Sequence, residues 1–450
     1  NGKTTVSRMV AHIHKLSGNM VGLATTDGVY IGGNLTVKGD LTGPRAAQMI
    51  LRDPTVDAAI LETARGGLLR SGMGYERCDV GAVLNIDADH LGLKGVETVE
   101  DLARVKRIVV EVATDTAVLN ADDELCLKMA DHTKADNICY VTMNANHPLV
   151  REHVRMGGRA VVLEQGMNGH MITIYEHSSN IQLMWTHLIP ATIDGKAMHN
   201  VQNAMFAAAI CYSMGKSLED IRQGLRTFAT SYFQAPGRLN VFEEHPFKVI
   251  LDYGHNPAAI EAMTKLCTQL EPKGRKIVSI SMPGDRRNED YVAAAAIIAG
   301  KFDHYICRAD DGLRGRGPTE VPDLLRAALI ENGVPSDQIQ VIASEVDAVD
   351  AALKMGQVDD LVLLFGDNIS RTWKQVIYFN KPQDAEETQA PPAVSEPVIS
   401  IEEAALDPLA DAMPVEDAPE IPESMLVGGM RMIRDSRGVR LENIEDEDGD

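Results

Sequence analysis

Four residues near the start of the chain, Gly2, Lys3, Thr4 and Thr5, have the types and spacing to handle phosphate. A Gly-Lys-Thr triplet running into a helix is the back half of the phosphate-binding loop G-x-x-x-x-G-K-[ST]. Backbone N–H groups at the helix start face nucleotide phosphates, the Lys3 ammonium reaches the β and γ oxygens, and the Thr4 hydroxyl coordinates magnesium. The front half of the loop does not stand in the sequence. The expectation is therefore a chain that begins inside its own loop and belongs to a longer polypeptide. Two apolar runs further on end in metal-binding groups: residues 56–61 lead to Glu62, and residues 80–86 lead to Asp87, Asp89 and His90. In an open parallel sheet, ligands bind beyond the carboxyl ends of the strands. One carboxylate from Glu62 and one imidazole from His90 would hold a divalent cation beside the triphosphate. Asp89 is a further candidate, with a turn cap as its plainer role.

These groups need elements to position them. Apolar residues at Val6, Met9, Val10, Ile13 and Leu16 follow the helical period, so a helix is predicted directly after the loop. His12 and His14 lie on it and read as packed or solvent-facing side chains. A strand over 21–24 leads to Thr25 and Thr26, small hydroxyl residues suited to lining a site or to making a turn. Pro44 opens a helix over 44–51, since proline suits the first helical turn. A helix over 99–113 carries Arg104, Lys106 and Arg107. Residues 160–175 read as an antiparallel pair, and residues 198–214 as a helix rich in small residues. Gln234 to Arg238 reads as a domain boundary. Beyond it strands and helices alternate again, with a strand ending in Asp252-Tyr253-Gly254-His255-Asn256-Pro257, which predicts a second doubly wound α/β domain. The expected division is 1–235, 236–380 and a tail over 381–450.

Composition narrows the class. The chain has 450 residues, enough for two domains and a tail. Its net charge is −22, but residues 381–450 hold 19 acidic and 5 basic side chains, so the globular part is only mildly acidic. That tail also holds 8 of the 20 prolines and is expected to be mostly disordered. Residues 425–441 are the exception: apolar runs flank Asp435-Ser436-Arg437 and could form a hairpin or dock on a partner. An acidic surface argues against nucleic acid, and no apolar run is long enough to span a bilayer. The 6 cysteines show no C-x-x-C spacing, which argues against zinc and a disulfide framework and suits a reducing cytoplasm.

The parts, in this order, resemble the Mur ligase superfamily: Gly2-Lys3-Thr4-Thr5, the strand-tip Glu62, Asn85 to His90, Lys106 on a helix, His199-Asn200-Val201-Gln202-Asn203, Gly237-Arg238, and Asp252 to Pro257. The wording of Thr26 to Gly33, of Glu62 to Arg70 and of Ser281 to Arg287 is most similar to the cyanophycin synthetases within that superfamily. The resemblance covers about residues 1–380 and recurs faintly in 434–440. It implies a P-loop-containing central ATP-binding domain followed by a second α/β domain. It implies ATP and Mg2+ as cofactors, with Thr4, Glu62 and His90 at the metal and Gly2, Lys3, Thr4 and Thr5 at the phosphates. Asn203 would approach the adenine, Arg238 the phosphates and Asp252 the ribose, with His255 and Asn256 near the transferring phosphate. Lys106 matches a lysine that several of these ligases carry as a carbamate; a surface or phosphate-facing lysine is the other reading.

The activity so implied is an ATP-dependent amide ligase. A carboxylate does not react with an amine at neutral pH, so transfer of the γ-phosphoryl group would make an acyl phosphate for the amine to displace. By resemblance the amine is the α-amino group of arginine and the carboxylate a side chain of poly-aspartate, the cyanophycin primer, with a homo-oligomer expected for the full-length protein. Asp285, Asp310 and Asp311 are candidates for the guanidinium. Arg286, Arg287, Arg314 and Arg316 would receive the anionic polymer or form a solvated face. The alternatives are another Mur-type ligase acting on a cell-wall nucleotide or a folate, a phosphate-loop NTPase that drives motion, and a truncated non-catalytic binding fragment.

Overall fold

The computed structural model describes residues 1–88, 91–92, 95–177, 179–380, 426–427 and 430–443. The opening helix Lys3–Leu16 is capped by Gly2 in the left-handed region, at φ +80°. Its apolar stripe (Val6, Met9, Val10, Ile13) is buried and packs on the helix Met198–Ser213. That partner is apolar around most of its circumference, as befits a helix surrounded by protein. The predicted helix over 44–51 forms as Pro44–Leu51 with proline in its first turn.

Two sheets follow, one packed on the opening helix and the other on the helix Met198–Ser213. One has four strands, in the order Asn34–Lys38, Gly28–Ile31, Val21–Thr25 and Ala58–Leu61, the last two parallel. The other has six, from Ser179–Trp185 through Gly169–Glu176, Arg159–Gly166, Asn137–Thr142 and Ala113–Asn120 to Cys78–Val83. The antiparallel pair expected at 160–175 is the hairpin Arg159–Gly166 with Gly169–Glu176. The expectation that the strands leading to Glu62 and His90 share one sheet does not hold among the described residues. Ala58–Leu61 is an end strand of the first sheet and Cys78–Val83 an end strand of the second. Strand pairing depends on which edges meet, and the sequence of a single strand does not carry that.

Residues 240–365 build a third sheet, in the order Asn240–Phe242, Lys248–Asp252, Leu361–Phe365, Lys276–Ile280, His304–Cys307 and Ile339–Val341. All pairings are parallel except at Asn240–Phe242, and helices such as Pro257–Gln269 and Glu345–Met355 connect the strands, so the second domain is the doubly wound α/β unit expected. Its strands are near-continuous apolar runs, as parallel strands covered on both faces are. Of the acidic tail, expected to be mostly disordered, residues 381–425, 428–429 and 444–450 lie outside the described residues. Met430–Asp435 and Gly438–Asn443 pair as an antiparallel hairpin, joined by Leu426–Val427.

No described helix is long and apolar enough to cross a membrane. Among the described residues all 6 cysteines are free and 5 are buried. His12 and His14 are packed on the opening helix, and burial pushes both down to about 4, so they are neutral at neutral pH.

Candidate active site

The loop at residues 2–5 meets both domains. Gly2 has to be glycine: its φ is positive, and a Cβ would stand 2.3 Å from Asn203 Oδ1. Asn203 is held there by donating to Asn200 Oδ1 at 2.9 Å, and Asn200 donates to the Ala191 carbonyl at 2.8 Å. The first helical turn carries no acidic residue, so the positive end of the helix dipole favours an anion from outside the chain. Lys3 is exposed at that end, and Thr4 and Thr5 are buried.

Thr4 is the junction. Its hydroxyl donates to Glu62 Oε1 at 3.1 Å, and Arg238, at the start of the second domain, donates from Nη2 to the same hydroxyl at 3.3 Å. The Arg238 guanidinium also lies 3.5 Å from Thr26 Oγ1 and stacks over the Tyr253 ring at 4.9 Å. Glu62 is only 5% exposed, yet its Oε2 has no hydrogen-bond partner among the described residues. A buried carboxylate oxygen without a partner is costly unless something else satisfies it. An oxygen-rich corner of this kind, one open carboxylate oxygen beside a hydroxyl at a helix start, fits a hard divalent cation carried with phosphate oxygens. His90, the other expected metal ligand, and Asp89 lie outside the described residues.

The loop leading there holds Asn85 and Asp87, whose side chains contact Asn1 at 2.7 and 3.0 Å. Lys106 donates to the Asn85 carbonyl at 3.3 Å, so it faces this loop. Its neighbours do not: Arg107 pairs with Glu111 at 2.5 Å and Arg104 with Asp101 at 3.5 Å along the helix Val99–Glu111.

Asp252 ends its strand with both carboxylate oxygens taken by the backbone, from Leu239 N–H at 2.9 Å and Gly254 N–H at 2.7 Å. Burial pushes its carboxyl up and the Arg238 charge opposes the shift. Asp252 thus fixes the turn that carries Arg238. Asn256 caps the helix Pro257–Gln269 through Ala259 N–H at 3.0 Å, and its amide donates to Asn1 Oδ1 at 3.0 Å, a second bridge between the domains. His255 Nδ1 bonds to the Tyr253 carbonyl at 3.0 Å, so the ring is held on the same turn.

Behind that turn is a small cavity lined by Tyr253, His255, Ser281, Arg308, Asp310 and Asp367, among others. Burial, together with a hydrogen bond to Asp367, pushes the Asp310 carboxyl up to about 7. The Ser281 hydroxyl is buried without a partner among the described residues. Arg308 underlies both aspartates, donating to the Ala309 carbonyl at 2.8 Å and to that of Phe365. Glu345 holds the neighbouring loop by accepting from Asp367 N–H at 2.7 Å, Asn368 N–H at 3.2 Å and the Thr372 hydroxyl at 3.1 Å, and it pairs with Arg308 and Arg371. Sequence reasoning missed Arg308, Glu345 and Asp367; the signal for two of them was their place just beyond the strands His304–Cys307 and Leu361–Phe365.

The structure also sorts the other charged candidates. Asp285 is taken by Arg314, at 3.0 and 2.9 Å, and by Arg286 at 3.3 Å. Asp311 pairs with Arg371 at 2.7 Å, Arg287 with Asp290 at 2.8 Å and Arg316 with Glu320 at 2.7 Å. The arginines expected to receive a polymer are thus engaged within their own domain, because each has an acidic group within reach.

Residues 1–211 match the Mur ligase middle domain, and residues 237–368 match the Mur ligase, glutamate ligase domain. The chain belongs to the Mur ligase family. Within it the chain is similar to the cyanophycin synthetase of Crocosphaera subtropica, 41% identical over 373 residues that make up 82% of this chain and 42% of that one. The same protein of Trichormus variabilis is 42% identical over 388 residues, 84% of this chain and 41% of that one. The chain thus spans about two fifths of the length of the curated relatives it matches. Its fold is shared with E. coli FolC solved with DHPP and ADP, at a TM-score of 0.61 and 20% identity over 84% of this chain and 86% of that one. It is shared too with a folylpolyglutamate synthase/dihydrofolate synthase of Yersinia pestis solved with AMPPNP and Mn ion, at 0.60 and 22% over 84% and 86%.

Proposed function

We propose that the chain is the ATP-dependent ligase portion of a cyanophycin synthetase, joining the α-amino group of arginine to the β-carboxylate of a poly-aspartate primer. The observation that carries this reading is Thr4, where a hydroxyl at the helix start meets Glu62 of its own domain and Arg238 of the next. In this reading Gly2, Lys3, Thr4 and Thr5 cradle the phosphates, and Glu62, Thr4 and His90 hold Mg2+. The cation, when bound, draws charge from the phosphate oxygens. Lys3 and Arg238 hold the transferring γ-phosphoryl group from two sides, which orients it towards the carboxylate. Positioned donors of this kind are each worth about 3–4 kcal/mol of barrier. Asn203, held by Asn200, faces the base, and Asp252 keeps Arg238 in place as well as lying on the ribose side. His255 and Asn256 lie where the acyl phosphate forms and the amine displaces phosphate. Lys106 supports the Asn85 loop from below.

Of the three aspartates weighed for the guanidinium, Asp285 and Asp311 are engaged by arginines, which leaves Asp310 as the one with no ion pair among the described residues. The unpartnered Ser281 hydroxyl in the same cavity supports a polar ligand there. The similarity to cyanophycin synthetases, rather than the shared fold, favours this substrate pair over a cell-wall nucleotide or a folate. Phosphate release from ATP is the test. Release that requires both arginine and a cyanophycin primer supports the reading; release without any amino acid, or with diaminopimelate or glutamate in place of arginine, contradicts it.

A further inference from the structure

The hairpin near the end of the sequence has a seat that the ligase reading does not use. Val439 and Leu441 are buried, with Met430, in the same apolar core as Leu102, Leu119, Cys126 and Tyr140 of the middle domain. Both backbone groups of Val439 are taken by middle-domain side chains: its N–H donates to His153 Nδ1 at 3.0 Å, and its carbonyl accepts from Tyr140 Oη at 3.1 Å. Because Nδ1 accepts, the imidazole proton sits on Nε2 and faces the Ile138 carbonyl at 3.1 Å. Gly438 passes so close that a Cβ would stand 2.2 Å from His153 Nδ1, at a φ of +107°. Charge matches as well. Four arginines fall within residues 431–440 of an otherwise acidic tail. Of these, Arg434 pairs with Glu152 at 2.9 Å, Arg437 donates to the Thr133 carbonyl at 2.9 Å, and Arg440 pairs with Asp131.

An isolated ribbon of two or three short strands is barely stable in water, so this one depends on its seat. The seat in turn reaches the active-site loop. Gly438–Asn443 packs on the helix Glu124–Lys128, whose cap Asp123 holds Cys126 N–H at 3.0 Å with one oxygen and Ile86 N–H at 2.6 Å with the other. Ile86 lies between Asn85, which accepts from Lys106, and Asp87. We propose that the C-terminal hairpin is a separable intrachain ligand of the middle domain, seated on Asp131, Thr133, Tyr140, Glu152 and His153, and that its seating holds the Asn85 to Asp87 loop through Asp123. This rests on packing alone and stands whether or not arginine is the substrate.

The test uses the full chain with a site-specific protease site introduced within residues 381–425. After cleavage, the fragment bearing residues 426–450 is expected to co-elute with the body on gel filtration, and amide exchange at Ile86 to stay as slow as in the uncut chain. Val439→Asp and, separately, Gly438→Ala should release the fragment and speed exchange at Ile86 at least about tenfold, while exchange in the second domain is unchanged. The second-domain readout separates undocking from global misfolding. Loss of the fragment from the unsubstituted chain overturns the seating, and release by either variant without faster exchange at Ile86 overturns the coupling.

Discussion

The corner around Thr4 and the cavity behind His255 both gather charged side chains at strand and helix ends, and they differ in how fully those groups are satisfied. At the first, Glu62 keeps an oxygen open beside a hydroxyl, and Lys3 stands exposed with no hydrogen bond or ion pair among the described residues. At the second, Glu345 is closed on every side by Arg308, Arg371, Thr372 and two backbone N–H groups. A carboxylate that is saturated by its own protein is framework; one left open within protein is prepared for something else. Asp310 sits between these cases, its carboxyl pushed up to about 7 by burial and by Asp367, beside a Ser281 hydroxyl with no partner among the described residues.

Substitution at the two glutamates separates the cases most sharply. Glu345→Ala leaves the Arg308 charge buried without its partner and is expected to cost about 3–5 kcal/mol of stability, read as a large fall in Tm. Glu62→Ala is expected to leave Tm within a few degrees and lower turnover on the order of a hundredfold or more. Equal losses of Tm in both variants would erase the distinction.

Gly2→Ala tests the cradle. A left-handed residue bearing a Cβ costs about 1–2 kcal/mol, and the displaced Asn203 should weaken ATP binding more than it weakens folding. Unchanged ATP affinity by calorimetry would remove Gly2 and Asn203 from the nucleotide.

The smallest effect concerns pH. Burial and the neighbouring Asp367 push the Asp310 carboxyl up to about 7, above its ordinary value of 3.8, so folding favours its protonated form. That contribution is complete below the unfolded value and is lost as pH rises through about 7. Tm should therefore fall between pH 5 and 8, and Asp310→Asn should flatten that part of the curve while raising the KM for arginine. A variant that follows the parent at every pH would contradict the raised Asp310 carboxyl.

What could be read in advance follows from how each feature is encoded. Helix Pro44–Leu51 and the opening helix are local, set by a proline, a glycine cap and an apolar period, and both appear where expected. Glu62, Arg238 and Asp252 stand in short motifs at element ends; the first two meet at the Thr4 hydroxyl, and Asp252 holds the turn that carries Arg238. The hairpin was legible from its turn at Asp435-Ser436-Arg437, but its seat was not, since His153 and Asp131 lie 286 and 309 residues away from their partners along the chain. Arg308, Glu345 and Asp367 lie in separate segments, and only folding shows that they meet. The same holds for Asp285 and Arg314, where the sequence shows charges and the structure shows that they neutralise one another.

Binding of Mn2+ in the presence of ATP, followed by electron paramagnetic resonance on the full chain and on Glu62→Ala, tests the Thr4 corner most directly. The parent chain is expected to bind the ion only with nucleotide present, and Glu62→Ala to lose at least about a hundredfold in affinity. Ion binding of equal strength in the two proteins would contradict the assignment of the open Glu62 oxygen to a metal–nucleotide site.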